Sequence, residues 1–309
     1  MSYSDDDLLF CQAEFERLFE PDERLIATCR ARVGLFLPDG AAAVDPLLER
    51  VEAAIRGRTP LSILRVGNGE GNAISMTKPA LPETLVKAFY HEFCSQNGTS
   101  IPREEAVAFS MAVSEAIRAA DVLGFRCFRV DEAAFVRRAI AARDGYAALG
   151  VLYAREFLQD QLRRGSLGRK IVTSAWIHLD VMPQLDRLLR AAESIVVITG
   201  RGALRAAFEA RLGSRLREFI EVPVQGYVPP SPDLSHFSRV FPEIQRRLRQ
   251  PLAGTLVLVG AGLFGKIYCN VARENGGVAV DLGSTFDILA GLTTRPVHNR
   301  YECARFSWL

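Results

Sequence analysis

Residues 254–284 read GTLVLVGAGLFGKIYCNVARENGGVAVDLGS, and the spacing of apolar and glycine residues in this stretch decides the fold class. Thr255–Val259 is a short aliphatic, partly β-branched run, the composition of a strand buried on both faces. Gly260, Gly262 and Gly265 follow as G-x-G-x-x-G, with Lys266 directly after. From Phe264 to Glu274, Ile267, Tyr268 and Val271 recur at helical spacing, and Asn275-Gly276-Gly277 stops the helix with residues that tolerate positive φ. Val278–Leu282 is a second strand with Asp281 at its carboxyl end. The unit is strand, loop, helix, strand, and its glycines let backbone N–H groups approach an anion at a helix N-terminus. Three readings fit. One is a nucleotide-containing ligand held by its phosphates, a second is plain strand-to-helix packing, and a third is a nicotinamide dinucleotide with Asp281 on its ribose. Fewer than 30 residues follow Asp281, so a dinucleotide domain would have to borrow strands from earlier in the chain.

Upstream, the same alternation continues. Lys170–Thr173, Ser194–Thr199 and Glu218–Val224 read as strands, separated by the predicted helices Pro183–Ala192 and Ala203–Leu212. Phe241–Arg249 is the helix that precedes the glycine stretch. Leu61–Val66 and Asp121–Phe125 add two more strands. Strands alternating with helices predict an α/β fold with a mostly parallel sheet, helices on both faces (Rossmann-like), and a site at the strands' carboxyl ends. The first part of the chain is helical: Asp5–Arg32 is interrupted at Pro21, and Asp45-Pro46 starts a further helix with Asp as its N-cap. Residues 1–58 are expected as a helical extension packed on a domain of residues 59–309.

Composition narrows the function. Hydrophobic content of 49%, charged content of 24% and a net charge of +2 are those of a soluble globular protein and lend no support to nucleic-acid binding. The acidic start MSYSDDDLLF and the lack of an 18-residue apolar run argue for a cytoplasmic protein without a transmembrane segment. The basic run Arg163, Arg164, Arg169, Lys170 is read as a solvated face, with contact to a membrane surface or an acceptor phosphate as the other option. A homo-oligomer is compatible with all of this. Six scattered cysteines without a C-x-x-C pair fit reduced thiols better than disulfides or zinc.

Strand Leu61–Val66 runs into R-V-G-N-G-E-G-N, Arg65–Asn72. Gly67 and Gly69 flank Asn68, while Arg65 and Glu70 share the same corner. Asn68 and Glu70 offer the oxygen ligands that hard cations such as Mg²⁺ or Mn²⁺ favour, with substrate phosphates completing the shell. The alternative is a turn in which Glu70 caps the following helix. Loops after several strands are expected to converge. They bring Glu70, Ser174, His178, the glycine loop and Arg201, whose guanidinium fork fits phosphate oxygens. His178, among apolar neighbours, reads equally well as a hydrogen-bonded core histidine.

Together, Arg65–Glu70 and Val259–Cys269 followed by Val278–Ser284 carry a likeness to a known family. R-V-G-N-G-E resembles the R-F-G-D-G-E segment of bacterial glycosyltransferases of the GT-D fold, and the late stretch resembles the C-terminal signature of GT-D-like proteins. The His236 loop, Phe286-Asp287 and Thr294-Arg295-Pro296 also fit, so the likeness runs from about residue 60 to 296. It implies a nucleotide-sugar glycosyltransferase, using a UDP-sugar or similar donor, with a glycan or protein acceptor and a D-x-E motif for Mn²⁺ or Mg²⁺. Here the motif falls on Asn68-Gly69-Glu70, one carboxylate short, which lowers the expected metal affinity. Either Glu70 still holds the ion with substrate phosphates, or Arg65, Arg201 and Lys266 take over some charge stabilisation. The Gly260–Lys266 loop would meet phosphate or acceptor, and Asp281 or Ser284 would bond ribose or sugar hydroxyls. His178 and Asp287 are the candidates for a general base. An NAD(P)-dependent oxidoreductase and a non-catalytic sugar-nucleotide-binding module are the competing readings.

Overall fold

The computed structural model describes residues 3–38, 41–128, 131–226, 228–300 and 303–309. They form two compact units, one of residues up to Leu37 with Arg65–Trp176, the other of Pro38–Leu64 with Ile177–Leu309. The strands are β1 (Gly34–Phe36), β2 (Leu61–Val66), β3 (Val122–Phe125), β4 (Ile171–Ser174), β5 (Ser194–Thr199), β6 (Leu216–Glu221), β7 (Thr255–Gly260) and β8 (Val278–Asp281). The division is not the one expected from the sequence. The first two helices group with residues 65–176, and the Asp45–Arg56 helix groups with the C-terminal half. The chain passes from the second unit to the first inside β2, after Leu64.

In the first unit β1, β4 and β3 run parallel, with Ile171 facing Gly34 on one side and Val122 on the other. The organising element is the helix Gly145–Arg164. Asp144 caps it by accepting the Ala147 N–H at 3.0 Å, and Gly165, at φ +65°, ends it. Ala148, Leu149 and Leu152 of this helix join one core with Cys11, Phe15 and Leu18 of Asp5–Leu18 and with Leu85 and Ala88 of Glu83–Asn97. Each fully buried Leu or Phe there contributes about 1.5–3 kcal/mol. The N-terminal helices therefore belong to this core. Asp5–Leu18 opens with a capping box between Ser4 and Asp7 and stops short of Pro21, as the sequence predicts.

The second unit carries the parallel order β2-β8-β7-β5-β6. β7 and β5 lie inside it, and Leu256–Val259 and Ile195–Ile198 are buried, which is why both read as unbroken aliphatic runs. β6 stops at Glu221, short of the expected Val224, because Pro223 has no N–H to continue a ladder. Gln225 and Gly226 form a turn, and Tyr227 lies outside the described residues. From β5 the chain moves to β6 on one side, whereas from β7 it moves to β8 on the other. The carboxyl ends of β5 and β7 are thus a topological switch point, where open α/β sheets hold ligands. Among the described residues no helix is long and apolar enough to cross a membrane.

Candidate functional site

In the first unit the Arg65–Asn72 segment does not form a loop. Asn68–Ser75 is a helix with Gly67 as N-cap, and Glu70, at the third helical position, accepts the Gly67 N–H on Oε2 at 2.7 Å. Its glycines make room for neighbouring helices. A Cβ on Gly69 would stand 3.0 Å from Glu92 Cγ, one on Gly71 1.7 Å from the Gly150 carbonyl oxygen, and one on Gly150 2.3 Å from the Asn68 carbonyl oxygen. Arg65 is half-buried at the end of β2, and Ser174 is buried at the end of β4, where its Oγ accepts the Trp176 N–H at 3.2 Å.

Asn68 Oδ1 accepts a hydrogen bond from Arg126 Nη1. Arg126 follows β3, with its guanidinium 4.3 Å from the Phe135 ring centroid and 5.9 Å from that of Trp176. Its Nε is buried without a hydrogen-bond partner and lies 3.9 Å from Glu132 Oε1. Burial lowers the pKa of Arg126, opposed by the Glu132 charge, while burial raises that of Glu132 against its 2.8 Å contact with Arg155. Beside Gly69, Glu92 accepts from the Tyr146 hydroxyl and the Gln96 amide, and His91 stacks on Tyr146 at 4.7 Å.

These residues do not fit the divalent cation expected at Asn68 and Glu70. Mg²⁺ or Mn²⁺ asks for free oxygen ligands including carboxylates. Here the Asn68 oxygen is held by a guanidinium and one Glu70 oxygen by its own helix cap. Among the described residues no group of three or more His, Cys, Asp or Glu side chains could hold a metal.

The second unit holds the other predicted residues. Gly262, at φ +53°, makes the turn from β7 into the helix Gly262–Glu274. Gly260 and Gly265 are close-packing positions, since a Cβ would meet Phe286 Cδ2 at 2.4 Å and Val259 Cγ1 at 3.1 Å. The helix turns Lys266 inward, and its Nζ lies 2.5 Å from Asp281 Oδ2 with both side chains 3% exposed. The two residues expected to meet a phosphate and a ribose are therefore bound to each other, and either ligand would have to displace a buried partner.

Arg201 follows β5, and its Nε donates to Asp287 Oδ1 at 2.6 Å. The other carboxylate oxygen of Asp287 accepts from the Thr294 hydroxyl. The Arg201 side chain remains 27% exposed, so it is oriented by Asp287 and not fully buried. Ser284 Oγ lies 3.3 Å from His178 Nε2 and 3.1 Å from His298 Nε2. One hydroxyl proton cannot serve two ring nitrogens, so at least one of the two rings donates to Ser284. Burial lowers the pKa of His298 against the opposing charge of Asp287, which favours its neutral ring. His236, expected in a loop, begins a π-helical turn. It is buried, stacks on Phe264 and pairs with the Tyr268 hydroxyl at 2.8 Å.

The sequence reading thus finds Arg201–Asp287 and His178–Ser284 as residues but not as pairs, and it misses Arg126, Glu92, Tyr146 and His298. No motif marks these four. For His298 the only signal is its place three residues past Arg295, within the C-terminal run already singled out.

A family model described as a GT-D fold-like domain matches residues 43–289. Two solved structures of the domain of unknown function 1792 are similar. One, selenomethionine-substituted, has 14% identity over 85% of this chain and 82% of that chain, with a TM-score of 0.40. The other, described as a highly conserved domain with a distinct glycosyltransferase fold, has 14% identity over 84% and 82%, with a TM-score of 0.38. No curated protein matches the chain.

Proposed function

Because the chain belongs to the family of GT-D fold-like domains, we propose that it is a glycosyltransferase. It takes a nucleotide-sugar donor, a UDP-sugar in the first instance, and passes the sugar to a hydroxyl of a glycan, protein or other acceptor. The observation that carries this is the topological switch point at the carboxyl ends of β5 and β7. The Gly260–Gly262 turn opens a 13-residue helix there, and Arg201 stands at the end of the adjacent strand. Transfer breaks the bond between the anomeric carbon and a phosphate oxygen, so negative charge grows on the departing diphosphate. Helix N–H groups and a guanidinium oriented by Asp287 are suited to receive that charge. Ser284 and the two imidazoles beside it are polar partners for ribose or sugar hydroxyls, and His178 or Asp287 is the group to take the acceptor proton. No step is assigned to Mn²⁺ or Mg²⁺, which the Asn68–Glu70 residues do not fit.

Calorimetric titration of UDP, a panel of UDP-sugars and NAD tests this reading, with donor turnover followed as released UDP. Binding of a UDP compound together with UDP release is expected. Binding of NAD alone would move the chain to the oxidoreductases, against which the buried Lys266–Asp281 pair already stands. Binding of UDP-sugars without turnover would leave a non-catalytic module. Arg201→Gln removes the charge offered to the departing diphosphate, and turnover is expected to fall at least tenfold, about 1.4 kcal/mol in the barrier. Unchanged turnover would remove Arg201 from the reaction.

A further inference from the structure

At the corner where a metal motif would place a divalent ion, the first unit holds a guanidinium. Arg126 donates to Asn68 Oδ1, has its guanidinium 4.3 Å from the Phe135 ring centroid and 5.9 Å from that of Trp176, and faces Glu132 at 3.9 Å. We infer that Arg126 stands in for the cation at this corner, that the Asn68–Glu70 segment binds neither Mn²⁺ nor Mg²⁺, and that donor use by this chain is independent of divalent metal. The last clause rests on the glycosyltransferase reading, whereas the first two do not.

The chemistry is local. An amide oxygen is a complete partner for one N–H donor, so Asn68 and Arg126 form a neutral-to-cation hydrogen bond that needs no third charge. A dication brought to the same oxygen would sit within about 4 Å of the guanidinium, and repulsion at that range costs on the order of a thousandfold or more in affinity. The pairing also sets a rule for the substitution that would restore the motif. Asn68→Asp by itself gives Arg126 a carboxylate to hold, an ion pair rather than a metal ligand. Only removal of the guanidinium as well frees that carboxylate, next to Glu70, for a cation.

Paramagnetic resonance of free Mn²⁺, titrated with the full chain and no nucleotide, tests this directly. Wild type and Asn68→Asp are expected to show no saturable uptake below about 1 mM, and Asn68→Asp/Arg126→Gln to gain a site at least about tenfold tighter. One Mn²⁺ per wild-type chain at micromolar concentration would overturn the inference, as would a tight site appearing in Asn68→Asp alone. Because the wild-type titration requires no variant, a double variant that fails to fold leaves the test standing. Chelation by EDTA is then applied to UDP-sugar binding and turnover. Both unchanged is the expected result, and loss restored by Mn²⁺ would refute metal independence. If no UDP compound binds with or without Mn²⁺, the transferase reading fails while the metal titration is unaffected.

Discussion

Replacing Lys266 by methionine separates a ligand-binding role from a structural one. The Lys266 ammonium and Asp281 carboxylate lie 2.5 Å apart, each side chain 3% exposed. Removing the cation takes the ammonium away from a buried carboxylate, and breaking a buried pair from one side costs about 3–5 kcal/mol. Lys266→Met/Asp281→Leu, which removes both charges, is expected to recover most of the stability. Urea unfolding followed through Trp308, which packs on Phe208 in the same unit at 4.9 Å, reads all three chains. A Lys266→Met deficit below about 1 kcal/mol, together with weaker binding of UDP compounds, would show that the ammonium serves a phosphate and refute this reasoning.

Other substitutions test the surrounding framework. Gly71→Ala would drive a Cβ to 1.7 Å from the Gly150 carbonyl, a backbone clash expected to cost about 3 kcal/mol or more in thermal or urea unfolding; a change within experimental error would show that the two helices can part freely. Ser284→Ala leaves two buried imidazole nitrogens without their shared hydroxyl and is expected to lower stability by about 1–3 kcal/mol. Burial acts to raise the Asp7 carboxyl, but hydrogen bonds from Lys87, Ser4 and Thr84 outweigh it and hold the group well below the usual carboxylate range. Its contribution, about 1–2 kcal/mol, is then present above the unfolded value near 3.9 and lost as the pH drops through the folded value. Accordingly, Asp7→Asn should lose stability at pH 7 and match wild type in strong acid. Burial pushes the Cys11 and Cys29 thiols up to about 12, so at pH 8 they should resist an aromatic disulfide reagent that reaches the less buried Cys94.

How far the sequence led depended on whether a feature was written along the chain or across it. β5, β7 and β8 were legible because burial on both faces leaves an unbroken aliphatic run, and Pro21 marked the break between the first two helices because a missing N–H acts locally. The Asn68–Ser75 helix was not. Gly69, Gly71 and Asn72 are poor helix formers, and the run reads as a loop until the helices beside it are known. There the lack of side chains lets Gly71 and Gly150 bring two backbones together, and that packing outweighs propensity.

The same contrast governs the site. Lys266 and Asp281, 15 positions apart, each looked like a ligand residue because their types match a phosphate and a ribose. Yet a strand–helix–strand unit already brings the first turn of its helix against the end of its second strand, so a cation on one and an anion on the other are as well placed to meet each other as to meet a substrate. Arg126 and Asn68 repeat the lesson at 58 positions' separation. A residue type supplies the charge, but only its nearest opposite partner decides whether that charge is left for a ligand. Arg201 passes this condition in part, since Asp287 orients it and its side chain stays 27% exposed, and for that reason the switch point of the second unit, rather than the glycine motif's own lysine, is the place to look for the donor's phosphates.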